Sequence, residues 1–551
     1  MAVEFDETFD VVVVGSGAAG LATALGAIDE GLSAVVVEST DKWGGSSAMS
    51  GGGMWLPNNP LMQRAGVHDT REEALKYIDA TVGDEGESTS SERKEAFVDG
   101  IADYVTTAEK HGVTFVRSTD YPDYYPELPG GKIGRAIEVK PYDVKKLGGL
   151  AKTQRTVLPV PATTDDVWQL QRAWSTFDGM LRGARFVFRT LGGLFRGQKQ
   201  VGIGAALTAA LGHAVLVKGR VPLWLESPVQ KLLTDDDGHV VGVEVTRSGR
   251  TVRVGANRGV MLATGGFDHN QEWRRKYHGV EGYPAGNPGN LGQGHTLAEE
   301  VGAAFELMDD AWWGASVQPV AGGQAGFLVG ERSLPYSLIV DAKGMRFANE
   351  AESYVDLGHH MLEHDKGGDY WFIIERRYAL RYLRTFALDP RTNKAMKEQG
   401  IAVEAKTLAE LATRLGFDHD TFRATVERLN GFARSGRDQD FQKGDSAYDR
   451  YYGDPTVRPN PCLGPIEKGP FTAYKLVVGD LGTKGGVVTD ANGRALREDG
   501  SVIEGLYAAG NASASVMGRT YPGPGSTIGP ATVFGMRAAR HMARAGSRPA
   551  R

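Results

Sequence analysis

The segment from residue 9 to residue 38 constrains the fold more than any other part of the chain. Phe9 to Val14 is an apolar, β-branched run of the kind that forms a strand buried on both faces. It leads into Gly15-Ser16-Gly17-Ala18-Ala19-Gly20 and a helix-forming stretch, and a second strand-like run at 33–37 ends at Glu38. Strand, G-x-G-x-x-G, helix, strand and acid in this order predict a Rossmann-like nucleotide-binding unit.

Each position of this motif has a chemical reason in dinucleotide binding. Gly15 permits the tight turn, Gly17 lets a pyrophosphate approach the backbone, and Gly20 lets the helix pack on the strand. The helix N-terminus offers free N–H groups to phosphate, and Glu38 can accept hydrogen bonds from ribose hydroxyls. A plain glycine turn is the alternative for the glycines taken alone. The predicted cofactor contacts here are Gly15, Ser16, Gly17, Ala18, Ala19, Gly20, Glu38 and Ser39.

A stretch rich in glycine and serine follows the acid at residues 43–53, between Trp43 and Trp55. A solvated linker is the alternative, but a linker is rarely bounded by tryptophans. A cofactor loop at this place would lay backbone N–H groups along the pyrophosphate and under a flavin ring, which favours FAD over NAD. The predicted contacts are Gly44, Gly45, Ser46, Ser50, Gly51, Gly52 and Gly53.

Distant segments repeat the pattern of a strand that ends in glycine. Residues 258–267 contain Ala-Thr-Gly-Gly, residues 505–511 end in Ala-Gly-Asn, and residues 526–535 turn into a helix that continues through Arg540. The N-terminus of that helix could stabilise negative charge on a reduced flavin. Recurrence at the start, middle and end of the chain is what a discontinuous FAD domain requires. The predicted contacts are Ala263, Thr264, Gly265, Gly510, Asn511, Ser526, Thr527 and Ile528.

The composition excludes several other classes of protein. The chain has 551 residues, enough for two to four domains, and its formal charge of −6 gives no field that attracts nucleic acid. Cys462 is the single cysteine, which excludes a cysteine-built metal site and fits a cytoplasmic protein.

The acidic stretch 1–10 is unlike a signal peptide. The apolar stretch 201–217 is interrupted by glycines, which favours a buried helix over a membrane span.

Five further motifs point to a family: Asp-Tyr-Tyr-Pro-Glu at 123–127, Glu-Arg-Ser-Leu-Pro at 331–335, Asp-Arg-Tyr-Tyr-Gly-Asp-Pro at 449–455, Gly-Thr-Lys-Gly-Gly at 482–486 and Tyr-Pro-Gly-Pro-Gly at 521–525. With the glycine motifs, they make essentially the whole chain resemble the FAD-dependent succinate dehydrogenase/fumarate reductase flavoprotein superfamily and, within it, the 3-ketosteroid Δ1-dehydrogenases. The resemblance implies an α/β fold with noncovalently bound FAD. A Rossmann-like FAD-binding domain, discontinuous at 1–281 and 462–551, would carry an inserted α+β catalytic cap domain at 282–461.

The resemblance also implies a reaction and the residues that perform it. Enzymes of this family remove hydrogens from carbons 1 and 2 of a 3-ketosteroid with three tyrosines and one backbone N–H. Tyr521 and the N–H of Gly525 would hold the keto oxygen. Tyr336 would remove the carbon-2 proton, with Tyr125 (or its neighbour Tyr124) hydrogen-bonded to it, and the carbon-1 hydride would go to the flavin. An external electron acceptor, a quinone or a similar compound, would then be needed.

Gln293 departs from the superfamily pattern, because an acid usually stands there, next to Gly294, a predicted flavin contact. Three alternatives share this fold. A 3-ketosteroid Δ4-(5α)-dehydrogenase would change the Tyr-Pro-Gly-Pro-Gly loop. A fumarate-reductase-like enzyme would need a carboxylate clamp, for which Arg332 and Arg519 are the candidates. A redox sensor or electron-transfer protein would bind flavin without turnover.

The stretch from Trp174 to Arg196 is amphipathic. Its arginines fall near one helical face, and its phenylalanines, leucines and other apolar residues fall near another. The apolar face either packs on the domain or makes a peripheral contact with a membrane, from which a poorly soluble steroid could arrive.

Overall fold

The strand predicted from the first glycine motif lies inside an eight-stranded sheet. A computed structural model describes residues 4–156 and 160–545 of the chain. In chain order the strands are β1 (Glu7–Val14), β2 (Ala34–Val37), β3 (Met54–Trp55), β4 (Phe115–Arg117), β5 (Ala136–Val139), β6 (Tyr142–Asp143), β7 (Gln200–Val201), β8 (Leu223–Trp224), β9 (Val229–Thr234), β10 (Val240–Arg247), β11 (Arg250–Leu262), β12 (Phe305–Glu306), β13 (Ala311–Val317), β14 (Gly326–Phe327), β15 (Ser337–Asp341), β16 (Tyr370–Ile374), β17 (Ala402–Ala405), β18 (Phe471–Thr483), β19 (Gly486–Val487), β20 (Arg494–Leu496) and β21 (Val502–Ala508).

Helices pack around the sheets of the molecule. In chain order the α-helices are α1 (Ala18–Asp29), α2 (Pro60–Arg64), α3 (Arg71–Val82), α4 (Ser91–Lys110), α5 (Thr164–Leu170), α6 (Phe177–Phe195), α7 (Ile203–Gly212), α8 (Gln271–Trp273), α9 (Gln293–Glu300), α10 (Tyr354–His364), α11 (Arg376–Arg381), α12 (Pro390–Glu398), α13 (Leu408–Leu415), α14 (His419–Ser435), α15 (Ala447–Tyr452) and α16 (Ile528–Arg544).

The large sheet has the Rossmann-like order β8-β2-β1-β11-β21, with all four pairings parallel. Val11, Val12 and Val13 are fully buried. Helices cover one face of the sheet at these residues, and strands β9 and β10 with the elements beside them cover the other face. Helices α1 and α16 pack so closely that a Cβ at Gly26 would lie 2.7 Å from the Cβ of Ala539. The first and last segments of the chain therefore form one α/β domain, as the sequence predicts.

A second, antiparallel sheet forms the cap in the order β14-β13-β18-β16-β15, with β17 also paired to β18. Two elements pack across the predicted boundaries of the insert, 282–461. Helix α9 belongs to the FAD domain, because Leu297 and Ala298 share its core with Val12. Strand β18 belongs to the cap although it lies within the predicted second FAD segment, 462–551. Residues 1–3 and 546–551, at the outer ends of the two predicted FAD segments, lie outside the described residues.

Two helices predicted from the sequence are present. The apolar stretch at 201–217 forms α7, which is almost entirely buried, and a further turn that continues to Lys218. The amphipathic stretch forms α6, of which only Gly179 and Gly193 are buried. In the part of the chain that the structure describes, no helix has the length and apolar character needed to cross a bilayer.

Candidate active site

A cavity of about 450 Å³ lies between the FAD domain and the cap, at the carboxyl ends of the parallel strands. Val14 and Val37, the last residues of β1 and β2, line it, as do Ala263 and Ala509, which directly follow β11 and β21. The crevice at the carboxyl ends of the strands is where open α/β sheets bind their ligands. The cavity has a nucleotide end, built mainly from backbone, and an aromatic end, built from side chains.

The nucleotide end begins at the turn between β1 and α1. Gly15 has a φ of +104°, and a Cβ there would lie 2.3 Å from the carbonyl oxygen of Ala263. Gly17 stands at the N-cap of α1 and has no side chain to cap the helix, and a Cβ there would meet only the Ser47 Oγ, at 3.5 Å. The Ala18 N–H donates to this Ser47 Oγ at 3.0 Å. The N-terminus of α1 lies at the cavity, where its N–H groups suit an anionic ligand such as the pyrophosphate of a dinucleotide.

Glu38 lies at the end of β2 and lines the same end of the cavity. Its carboxylate accepts hydrogen bonds from the Ser16 hydroxyl (2.6 Å) and from the backbone N–H and hydroxyl of Thr40 (both 3.0 Å). These bonds hold the acid in one orientation at the wall of the cavity. A carboxylate that accepts hydrogen bonds at this position fits a ribose with free hydroxyls.

All but four of the predicted cofactor residues line the cavity. The exceptions support its walls. A Cβ at Gly20 would lie 2.0 Å from the Gly15 carbonyl oxygen, and one at Gly294 would lie 2.1 Å from the Thr264 hydroxyl. Gly44 lies against Ala48, and the Ser526 hydroxyl donates to the Gly523 carbonyl at 2.7 Å. These residues pack the loops and do not face a ligand.

A polar cluster that the sequence reasoning missed lies beside the 43–53 loop. The amide of Asn290 donates to the Ser46 hydroxyl (3.0 Å) and to the buried carboxylate of Asp268 (3.0 Å), and the Asn287 N–H also donates to Ser46 (2.9 Å). Burial raises the pKa of Asp268 to about 7. Gln293 lines the cavity and donates to the Val229 carbonyl at 3.0 Å. The sequence carries one signal for this cluster, the two Gly-Asn pairs within residues 286–290.

Tyr521 is the centre of the aromatic end. Its ring centroid lies 5.1 Å from that of Tyr124, 5.0 Å from that of Tyr354 and 5.3 Å from that of Trp312. Burial raises the pKa of Tyr521, whereas the nearby Tyr354 side chain and Gly525 backbone act in the opposite direction. Tyr521 and Gly525, both predicted, line the cavity together.

Tyr124, and not Tyr125, lines the cavity. The Tyr124 N–H donates to the Pro522 carbonyl at 2.9 Å, which fixes this segment to the loop that carries Tyr521. The Tyr125 hydroxyl donates instead to Asp356 on α10, at 2.9 Å. Both residues lie in a bend of the chain, and Tyr124, the alternative that the sequence leaves open, is the one that reaches the cavity.

Tyr336 lies outside the cavity wall. Its ring is stacked under the Arg377 guanidinium, 4.2 Å from the ring centroid, and packs against Gly464. Tyr354, the first residue of α10, occupies the place at the cavity that Tyr336 was predicted to fill. Tyr354 lies outside every motif used above, so no local signal marked it.

Hydrogen bonds connect Tyr124 to other buried phenols. Its hydroxyl lies 3.3 Å from that of Tyr121, which in turn contacts the hydroxyl of Tyr452 on α15. Burial raises the pKa of Tyr124, Tyr121, Tyr354 and Tyr452 well above the usual value for tyrosine. These phenols are therefore neutral at neutral pH.

The cavity carries no positive side chain. None of the described residues that line it is a lysine, an arginine or a histidine. The two arginines considered for a carboxylate clamp are bound elsewhere. Arg332 donates to the Glu350 carbonyl at 2.6 Å and to the Glu352 carbonyl at 2.5 Å, and Arg519 pairs with Glu85 and Asp309 at the surface. The aromatic end of the cavity thus fits a neutral, apolar ligand.

Comparisons with known proteins agree with this geometry. The FAD binding domain family matches residues 10–528. The 3-oxosteroid 1-dehydrogenase of Mycolicibacterium smegmatis is 45% identical over 98% of this chain and 97% of its own length. A 4-oxocyclohex-2-ene-1-carboxylate 5-dehydrogenase of Sinomonas cyclohexanicum is 35% identical over 98% of this chain and 94% of its own.

Among solved structures, the 3-ketosteroid Δ1-dehydrogenase of Sterolibacterium denitrificans, in complex with 1,4-androstadiene-3,17-dione, superposes with a TM-score of 0.89 and 36% identity, over 98% of this chain and all of that one. The fold and cavity define an FAD-dependent oxidoreductase, and FAD is its cofactor. Within that class, the chain belongs to the 3-oxosteroid 1-dehydrogenase family.

Proposed function

We propose that this protein desaturates 3-ketosteroids between carbons 1 and 2, converting a 3-oxo-Δ4-steroid into a 3-oxo-Δ1,4-steroid within steroid degradation. The observation that carries the proposal is that Tyr521, Gly525 and Tyr354 line the apolar end of an FAD cavity, where the ring centroids of Tyr354 and Tyr521 lie 5.0 Å apart. The identity to 3-oxosteroid 1-dehydrogenases supports it.

Tyr521 and Gly525 would bind the 3-keto oxygen. A phenol O–H and a backbone N–H make two donors, which stabilise negative charge as the ketone takes on enolate character. Removal of such a donor typically costs about 10²–10³ in kcat. Tyr521 is buried and Gly525 is half-buried, so little water competes with these donors.

Tyr354 is the residue best placed to remove the carbon-2 proton. It contacts Tyr521, and carbon 2 adjoins the carbonyl carbon whose oxygen Tyr521 would hold. Tyr124 contacts both rings and is hydrogen-bonded to Tyr121, so this pair of phenols could spread the charge left by the proton. In this proposal Tyr354 takes the role of base that the resemblance gave to Tyr336. Tyr124 takes the supporting role that it gave to Tyr125.

FAD, when bound, supplies the acceptor for the carbon-1 hydride. The chain holds the nucleotide through the Gly15–Ala19 turn and the Glu38 carboxylate, and it leaves the aromatic end for the steroid. Turnover then needs an external electron acceptor, a quinone or a similar compound.

The same cavity disfavours small carboxylates. A fumarate or an oxocyclohexane carboxylate would bury its negative charge with no cationic partner among the described lining residues. Desaturation between carbons 4 and 5 remains the alternative on the same ring, and it requires a 5α-reduced substrate.

An anaerobic mixture of the yellow holoenzyme with androst-4-ene-3,17-dione tests the proposal. We expect the flavin absorbance to bleach and a 1,4-diene to form. Tyr521→Phe should keep its flavin and bleach at least about a hundredfold more slowly. Bleaching only with a 5α-androstane-3,17-dione that yields the 4-ene, or only with a dicarboxylate, would replace this proposal by one of the alternatives.

A further inference from the structure

A small cavity of about 20 Å³ lies beside the FAD cavity, next to the first residue of α16, Ile528. Gly510, Asn511, Thr527 and Ala531 line both cavities, so the two share a wall. A volume of this size holds one particle about as large as a water molecule or a halide ion. We call this space the α16 cavity.

Two buried cations line the α16 cavity. Arg93 of α4 and Lys484, which directly follows β18, are each only 1% exposed. Lys484 pairs with the Asp310 carboxylate at 3.1 Å, whereas Arg93 has no carboxylate partner in the described part of the chain. No aspartate or glutamate is among the described residues that line the α16 cavity. The wall therefore carries a positive charge without a paired acid, and burying such a charge is costly.

Protein groups satisfy the guanidinium of Arg93 only in part. Its Nη1 donates to the carbonyl oxygens of Ser88 (2.7 Å) and Ala514 (3.1 Å), and its guanidinium carbon lies 4.9 Å from the ring centroid of Phe534. Its Nε has no acceptor among the described residues, and neither has the Nε1 of Trp312, which also lines the α16 cavity. Burial lowers the pKa of Arg93 to about 10, so the side chain stays charged at neutral pH. Two buried donors without an acceptor thus accompany the unpaired charge.

The N-terminus of α16 adds to the positive field in this cavity. The helix has 17 residues, no side chain caps its N-terminus, and its N-cap residue, Thr527, lies in the cavity wall. The first N–H groups of a helix carry partial positive charge and bind anions. A guanidinium, an ammonium, an indole N–H and a helix N-terminus around one small volume are the donors that a monovalent anion requires.

We propose that the α16 cavity binds a halide ion, chloride or bromide, through Arg93, Lys484 and the N-terminus of α16. Sulfate and phosphate are too large for a volume that holds one water-sized particle. Since the two cavities share a wall, an anion here opposes the negative charge that FAD gains on reduction. Chloride should therefore bind more tightly to the oxidised holoenzyme than to the reduced one and, by linkage, should make the flavin harder to reduce.

Thermal unfolding of the holoenzyme at constant ionic strength tests the site. Chloride should stabilise the wild type relative to gluconate, whose anion is too large for the cavity; at ten times the Kd, the folded-to-unfolded ratio should rise about tenfold. Arg93→Met should lose this dependence on chloride, and Arg93→Lys should keep a weaker one. Lys94→Met is the matched control, because Lys94 is buried on the same helix but pairs with Asp79, and it should keep the full dependence. A wild type that is equally stable in both salts overturns the proposal, whether or not the variants fold.

Bromide in crystals of the holoenzyme locates the ion, because bromide scatters anomalously. We expect an anomalous peak in the α16 cavity, within hydrogen-bond distance of Arg93 and Lys484. A flavin atom or a water molecule at that place, without a peak, overturns the proposal. So does a peak that chloride titration in solution does not match, since that would be binding at crystal concentration only.

Equilibration of the holoenzyme with a redox dye tests the effect on the flavin. A larger fraction of the wild-type flavin should stay oxidised in chloride than in gluconate, and Arg93→Met should give the same fraction in both salts. Equal fractions for the wild type overturn the coupling between anion and flavin. None of these measurements uses a ketosteroid, so a failure of the proposed function would leave their outcomes unchanged.

Discussion

The two ends of the cavity are built in different ways. The nucleotide end is made by backbone and small residues that follow one another in sequence, with Gly15, Gly17 and Glu38 inside one short βαβ unit. The aromatic end is made by side chains from three distant segments, which carry Tyr124, Tyr354 and Tyr521. A backbone site is specified by local sequence, whereas a side-chain site is specified by how separate elements pack. The two ends should therefore fail in different ways when they are mutated.

The largest effect is expected at the nucleotide end. Gly15→Ala places a Cβ 2.3 Å from a backbone oxygen at a φ of +104°, which we expect to cost at least about 3 kcal/mol and to abolish FAD binding. Gly238→Ala is the matched control, since Gly238 also has a positive φ but meets open space, and it should cost only about 1–2 kcal/mol. Flavin absorbance per protein and thermal unfolding measure both effects. A flavin-replete Gly15→Ala protein would show that this turn is not the cofactor cradle.

The aromatic end should lose activity and keep its cofactor. Tyr354→Phe should lower kcat by about 10²–10⁴, the usual contribution of a general base, with normal flavin content. Tyr336→Phe should change kcat by less than about threefold, because its ring lies under Arg377 and away from the cavity. Single-turnover flavin reduction by a 3-ketosteroid measures both variants. The opposite order would return the role of base to Tyr336.

A smaller effect is expected from pH. Burial raises the pKa of Tyr354 well above the usual value of about 10, so the phenol is protonated at neutral pH. The fraction ready to accept a proton then grows with pH, and kcat/KM should rise by up to about tenfold per pH unit on the alkaline side. Stopped-flow flavin reduction across that range gives the profile. A rate that falls with rising pH while the protein stays folded would contradict a phenolate base.

The contrast between local and distant contacts also explains which features of the fold and the site could be predicted from the sequence. The strand, turn and helix of the first motif, the FAD cavity wall and the helices α6 and α7 followed from local pattern, because glycine, β-branched runs and amphipathic spacing act within a few residues. Tyr354 did not follow, since nothing near it distinguishes it from the other tyrosines. The edge of the cap depends on distant contacts in the same way: β18 follows Pro461 in sequence but pairs with strands of the insert. Pairing partners far apart in the chain leave no local mark.

Tyr125 provides the smallest and sharpest test, because it adjoins a cavity residue without being one. Its hydroxyl donates to Asp356, two residues after Tyr354 on α10, so it positions the helix that carries the proposed base. Tyr125→Phe leaves a half-buried carboxylate without this donor and should cost about 1–2 kcal/mol of stability, with a modest fall in kcat and an unchanged pH profile. Asp356→Asn, which keeps an acceptor, should be milder, and the double variant should show coupling between the two sites. Thermal unfolding and the pH profile separate the roles: if Tyr125→Phe shifts the profile as Tyr124→Phe does, Tyr125 takes part in proton transfer and the division between the two neighbours is wrong.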